Sequence, residues 1–149
     1  MLRVVLDTNV LINADKGQFS YPKRILDLVL SGKLEAVITE SVARENILLI
    51  NRLVRDSRLK ADLQDFFIRA ERVTPARVQA QIEDKEDIKL LSAALGGRAQ
   101  YLITEDRHLL DLDNFQGVTI VTPEQFWRLW EKGDQRQAWR DWTKNILGN

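Results

Sequence analysis

Cysteine is absent from the 149 residues, and histidine occurs once, at His108. Disulfides, zinc fingers, iron–sulfur clusters, thiol nucleophiles and multi-histidine metal sites are therefore excluded. An excess of either charge is also missing, since 22 Lys and Arg balance 22 Asp and Glu. That excludes a global basic field of the kind that coats duplex DNA, so any nucleic-acid contact must come from a local patch. No apolar run approaches the roughly 20 residues of a membrane span. The opening residues also lack a basic start followed by a long apolar stretch. The expectation is a cytoplasmic protein with no membrane contact. What is present is an ordinary globular balance, 44% hydrophobic and 30% charged, at a length that suits one domain.

Along the chain, short apolar runs alternate with helical patterns. Arg3-Val4-Val5-Leu6 reads as a buried strand that stops at the polar Asp7-Thr8-Asn9. Ser20 and Pro22 open a helix that Gly32 ends. Leu34-Glu35-Ala36-Val37-Ile38 is a second strand, and Thr39 or Ser41 caps the helix that follows. Further helices are expected over residues 60–71 and 84–95, the latter closed by Gly96-Gly97. Tyr101-Leu102-Ile103 and Val118-Thr119-Ile120-Val121 are the next strands. Pro123 opens a helix through Trp130, and a separate helix is expected over residues 135–147. This alternation implies a parallel sheet with right-handed crossovers. Residues 1–149 are expected to form one α/β domain, with 134–149 a C-terminal helical extension.

In such sheets ligands bind outside the carboxyl ends of the strands. Two expected strands run out onto acids there, at Asp7 and at Asp106. Glu45 is spaced three from Val42 and four from Leu49, which places a carboxylate on or beside the buried face of its helix. Asp87 lies one turn before Leu90 and Leu91 on another helix. Convergence of these four acids would create repulsion that a cation relieves. Oxygen-only ligands favour Mg²⁺ or Mn²⁺, and such ions suit phosphodiester hydrolysis with water as nucleophile. Each acid also has a plain structural role open to it. Asp7 can terminate a strand, Glu45 can be solvated, Asp84 can cap the helix carrying Asp87, and Asp106 can cap a short helix through His108.

Four stretches resemble the motifs of the PIN-domain nucleases, in that family's order. They are Val4-Val5-Leu6-Asp7-Thr8-Asn9-Val10-Leu11-Ile12; Ile38-Thr39-Glu40-Ser41-Val42-Ala43-Arg44-Glu45; Asp84-Lys85-Glu86-Asp87 with Leu90-Leu91-Ser92-Ala93-Ala94; and Tyr101-Leu102-Ile103-Thr104-Glu105-Asp106-Arg107-His108-Leu109-Leu110. The resemblance spans about residues 3–123. It implies a three-layer fold with a central parallel sheet of about four to five strands flanked by helices. It also implies Mg²⁺- or Mn²⁺-dependent cleavage of single-stranded RNA. The acids carried over, as catalytic groups and metal ligands, are Asp7, Glu45, Asp87 and Asp106, with Asn9 and Thr104 supporting the first and last. Further acids within the resemblance are Glu40, Asp84 and Asp111. Lys85 stands where the family often has proline, and Glu105 where it often has a small residue. Many small members of the family are toxins of toxin–antitoxin pairs, which implies a separate antitoxin chain as partner. A non-catalytic RNA-binding or regulatory module on the same fold is the alternative.

Two further features stand outside these motifs. Arg52, Arg55, Arg58 and Lys60 face a single acid, Asp56, within residues 51–60. They form a candidate track for RNA phosphates, or simply a solvated helix end. All four tryptophans lie at or after position 127, with Trp127 and Trp130 sharing one helical face and Trp139 and Trp142 another. Core packing or a protein interface is the expected use of such residues. The C-terminal Trp-rich helix is thus a candidate surface for a homodimer mate or the antitoxin.

Overall fold

The computed structural model describes residues 1–78 and 81–147, and their side chains except at 134–139, 141 and 147. Strands β1 (Arg3–Leu6), β2 (Glu35–Ile38), β4 (Tyr101–Ile103) and β6 (Val118–Val121) are the four apolar runs of the sequence. Two two-residue strands, β3 (Glu71–Arg72) and β5 (Asn114–Phe115), extend the sheet to six in the order β3-β2-β1-β4-β6-β5. Every pairing is parallel except β5 with β6. That antiparallel pair turns at Gln116 and Gly117, both with positive φ, as a tight hairpin turn requires.

Alternation along the strands divides the core into two layers. Val4, Leu6, Ala36, Ile38, Ile103 and Val121 face one side. There they meet α1 (Thr8–Ile12), α2 (Tyr21–Leu30), α3 (Glu40–Leu53), α4 (Ser57–Arg69) and the start of α7 (Pro123–Leu147). Val5, Val37, Leu102, Val118 and Ile120 face the other side, against α5 (Lys85–Gly96) and α6 (Arg107–Leu110). The three-layer arrangement around a mostly parallel sheet matches the expected fold class.

Side-chain caps start the longer helices where the sequence supplies them. Ser20 accepts from the Lys23 N–H, Thr39 rather than Ser41 accepts from Val42, and Asp56 accepts from Arg58 and Leu59. Helix α5 lies close to the strap before it, because Gly96 has no side chain: a Cβ there would overlap the Thr74 carbonyl.

The C-terminus differs from expectation. The backbone runs as one helix, α7, where two were expected to either side of Gly133. A single glycine costs a helix only about 1 kcal/mol relative to alanine, and no proline accompanies it. Phe126 of α7 is fully buried, edge-on to Tyr101 and stacked on Trp130, while Arg24 lies over the Trp127 and Tyr21 rings. Trp127 and Trp130 thus belong to the core margin. Trp142 is 53% exposed, and the side chain of Trp139 lies outside the described residues.

Candidate active site

Parallel pairing of β1 with β4, in the register Leu6 opposite Ile103, brings the residues after both strands to one edge. The Asp7 N–H donates to the Ile103 carbonyl at 3.0 Å, which pins Asp7 beside β4 before the chain turns into α1. Thr104 continues the pairing on the other side, its N–H donating to Val121 at 2.9 Å. Fully buried, Thr104 turns its hydroxyl to both acids. It donates to Asp7 Oδ2 at 2.8 Å and accepts from the Asp106 N–H at 3.0 Å. Asp106 then caps α6, its Oδ1 accepting from the His108 N–H at 2.8 Å, with His108 Nδ1 3.5 Å away.

Asp87 enters from α5. Asp84 is the N-cap of that helix, accepting from the Glu86 and Asp87 N–H groups. This fixes the first turn and leaves Asp87 buried at 7% exposure. Its carboxylate receives no hydrogen bond within the described residues. Burial raises the Asp87 carboxyl from its ordinary value, and Asp84, Asp106 and Asp7 push it further while His108 opposes them. Burial likewise raises Asp7, with Asp106 adding to the shift; the Thr104 hydroxyl and the backbone N–H groups of Asn9 and Thr8 hold it down. Asp7, Asp87 and Asp106 therefore feel one another as like charges, a condition that a cation relieves.

The other sequence candidates lie elsewhere. Glu45 is exposed, contrary to the expectation that it sits on or beside the buried face of its helix. That face is Val42, Ala43, Asn46 and Ile50. Glu45 instead pairs with Lys89 of α5 at 2.7 Å. Glu40 pairs with Arg72 and Arg44 beside β3. Asp111 is an exposed residue at the end of α6, and Glu105 accepts from the Asn13 side chain. Asn9 is exposed, and what it brings to Asp7 is its backbone N–H. Arg52, Arg55 and Arg58 are all exposed, and Arg58 lines a polar cavity with Asp15, Asp27, Asp56 and Asp62. Lys60 lines a separate apolar groove between α3 and α4.

Sequence reasoning passed over Thr8, Asn46 and Lys89. The Thr8 hydroxyl donates to the Asn46 side-chain oxygen. The available signal was an asparagine at i+4 from Val42 and i−4 from Ile50, inside an apolar stripe.

Among the described residues, no group of three or more acidic or histidine side chains stands ready to hold a metal ion. Mg²⁺ itself takes one or two carboxylates and keeps several waters. Asp7 and Asp106, all-oxygen donors joined through Thr104, fit that requirement, and Asp87 completes the negative field.

No curated protein matches the chain. Its fold is similar to a crystal structure of VapBC2 from Rickettsia felis bound to a DNA fragment from their promoter. The TM-score is 0.53 at 15% identity, covering 80% of this chain and 97% of that one. A model of the PIN domain family matches residues 3–108, the stretch that runs from β1 through Asp106 into α6. With most of its length inside that match and the acids of three motifs drawn to one sheet edge, the chain belongs to the PIN domain family.

Proposed function

We propose that the protein is a metal-dependent endoribonuclease that hydrolyses phosphodiester bonds of single-stranded RNA. The observation that carries this reading is the junction at Thr104, whose one buried hydroxyl serves Asp7 and the backbone of Asp106 together. Asp7 and Asp106 would hold the ion, with Asp87 and Glu45 as the remaining acids. Bound there, Mg²⁺ or Mn²⁺ supplies positive charge against the phosphate oxygens and makes water more acidic. The Asp87 carboxylate, without a hydrogen-bond donor among the described residues and raised by its surroundings, would orient water or accept its proton. Water attacks phosphorus in line and leaves a 5′-phosphate and a 3′-hydroxyl.

The same reading makes the protein the toxin of a toxin–antitoxin pair acting in the cytoplasm, with a separate antitoxin chain as partner. Likeness to the VapBC2 structure supports it. Trp142 and Ile146 of α7 are exposed large hydrophobic residues, and they support the C-terminal half of that helix as the contact for an antitoxin or a dimer mate. Truncation after Gly133 that left stability, oligomeric state and partner binding unchanged would remove this assignment. One observation favours the alternative, a non-catalytic RNA-binding module: the Glu45 carboxylate is engaged in an ion pair with Lys89.

The deciding experiment incubates a labelled RNA pool, part structured and part single-stranded, with Mg²⁺ or Mn²⁺. EDTA, Asp7→Asn and Asp106→Asn serve as controls. Cuts that need both the metal and the two aspartates, in variants that keep their circular dichroism, establish the nuclease. A folded protein that binds RNA but never cuts it is the non-catalytic module.

A further inference from the structure

Five polar side chains are buried among the described residues: Thr39, Asn46, Asp87, Ser92 and Thr104. Four have an evident use. Thr39 caps α3, Ser92 donates to the Ala76 carbonyl, Thr104 joins two acids, and Asp87 is one of the acids. Asn46 is the remainder. At 4% exposure it occupies a position on the core face of α3 that the pattern of its neighbours reserves for an apolar side chain. Its oxygen accepts from Thr8, and its Nδ2 has no partner among the described residues. A buried amide with an idle N–H₂ lowers stability, so a leucine would serve packing better.

What the asparagine secures is visible from its neighbours. Thr8 directly follows Asp7, and Asn46 directly follows Glu45. Consecutive helix positions point about 100° apart. From neighbouring positions on one turn, Asn46 therefore reaches α1 while Glu45 reaches Lys89 on α5, the helix that carries Asp87. The two residues clip α3 to α1, which starts beside Asp7, and to α5, which carries Asp87.

We propose that Asn46 is a positioning residue: through its hydrogen bond to Thr8 it seats α3 against α1 and sets the reach of Glu45 toward the Asp7 edge. The assignment rests on reading that edge as the nuclease site. It predicts a separation of stability from function, as expected where a local sacrifice of stability serves a site.

The test uses the full-length chain as Asn46→Leu, Thr8→Val, Thr8→Ser and the Asn46→Leu/Thr8→Val double variant. Three readouts are taken: melting temperature in EDTA, Mn²⁺ affinity by calorimetry without RNA, and kcat and KM for RNA cleavage. Asn46→Leu is expected to melt at or above the wild-type temperature and to bind Mn²⁺ several-fold more weakly. Its kcat is expected to fall about ten- to a hundredfold at little-changed KM, as small misplacements of a site do. Thr8→Val should reproduce these losses, the double variant should add nothing to them, and Thr8→Ser, which keeps the hydroxyl, should behave as wild type. A folded Asn46→Leu with wild-type Mn²⁺ affinity and kcat overturns the proposal, and so does one whose melting temperature falls along with its activity. Wild-type protein that binds Mn²⁺ but cuts no RNA refutes the nuclease reading alone, and the Mn²⁺ comparison then decides the role of Asn46. Wild-type protein that binds no Mn²⁺ overturns both.

Discussion

Thr104→Val replaces a hydroxyl with a methyl of nearly the same size in a side chain with no exposure. The packing volume is kept, so the effect reports hydrogen bonding. Two bonds disappear: the donation to Asp7 Oδ2 at 2.8 Å and the acceptance from the Asp106 N–H at 3.0 Å. The first involves a carboxylate and is worth about 1.5–3 kcal/mol, the second about 0.5–1.5 kcal/mol. Together they predict a loss of about 2–4.5 kcal/mol, or roughly 4–18 °C in melting temperature for a domain of this size. The assay is thermal melting in EDTA. Thr104→Ser serves as control, because it keeps the hydroxyl and gives up only a buried methyl. The acidity of Asp7 adds a second check. The Thr104 hydrogen bond holds the Asp7 carboxyl down, so it favours the ionised form. The deficit of Thr104→Val should therefore be full at neutral pH and shrink as pH falls through the folded value of Asp7. A valine variant that melts within about 0.5 kcal/mol of wild type, or a deficit that does not change with pH, would refute the idea that this hydroxyl organises the acid edge.

Other consequences can be read with the same instruments. Asp87 is raised from its ordinary value near 3.8, so the folded state binds more protons than the unfolded one, and stability falls as pH rises through that window. Asp87→Asn should therefore melt about 2–4 °C above wild type at neutral pH in EDTA, if the gain is the ~1 kcal/mol common for such sites. The gain should vanish toward pH 4, and a melting point at or below wild type at neutral pH would contradict it. Lys89→Met removes the cation that holds Glu45; Mn²⁺ should then bind several-fold more tightly while the melting temperature hardly moves, as befits an exposed ion pair. Unchanged Mn²⁺ affinity would show that Glu45 plays no part in holding the ion. Gly96→Ala drives a Cβ into the Thr74 carbonyl and within 3.0 Å of the Ala76 nitrogen. It should lower the urea midpoint by the equivalent of about 1–3 kcal/mol with the slope unchanged.

The parts of the fold that were legible in the sequence are those where burial leaves a continuous mark. β1, β2, β4 and β6 are covered on both faces by helices, so each appears as a mostly apolar run. β3 and β5 have two residues each, too few for any periodicity, and are created by their neighbours: β3 by lying beside β2, β5 by the turn at Gln116-Gly117. α1 was hidden for a related reason. It is five residues long, and its start is hidden inside the polar Asp7-Thr8-Asn9, which reads equally well as a strand terminus. The acids themselves could be read in order along the chain, because strand ends and helix caps are local features.

The orientation of α3 could not be read in this way, and this decides how the fourth acid is presented. Val42, Glu45 and Leu49 fit a helical stripe by spacing, and so do Val42, Asn46 and Ile50. The two stripes differ by a small rotation, and local propensity does not choose between them. Contacts far away in sequence do: Thr8 takes Asn46, and Lys89 takes Glu45. The chosen stripe buries Ile50 to 3% exposure and leaves Leu49 at 36%. Three acids are thus set by their own strands and caps, whereas Glu45 is set by how one helix rolls against two others. The approach of α3 is accordingly the adjustable element of the site. Substitutions at Thr8, Asn46 and Lys89 should change what Glu45 does while leaving the Asp7, Thr104 and Asp106 junction intact.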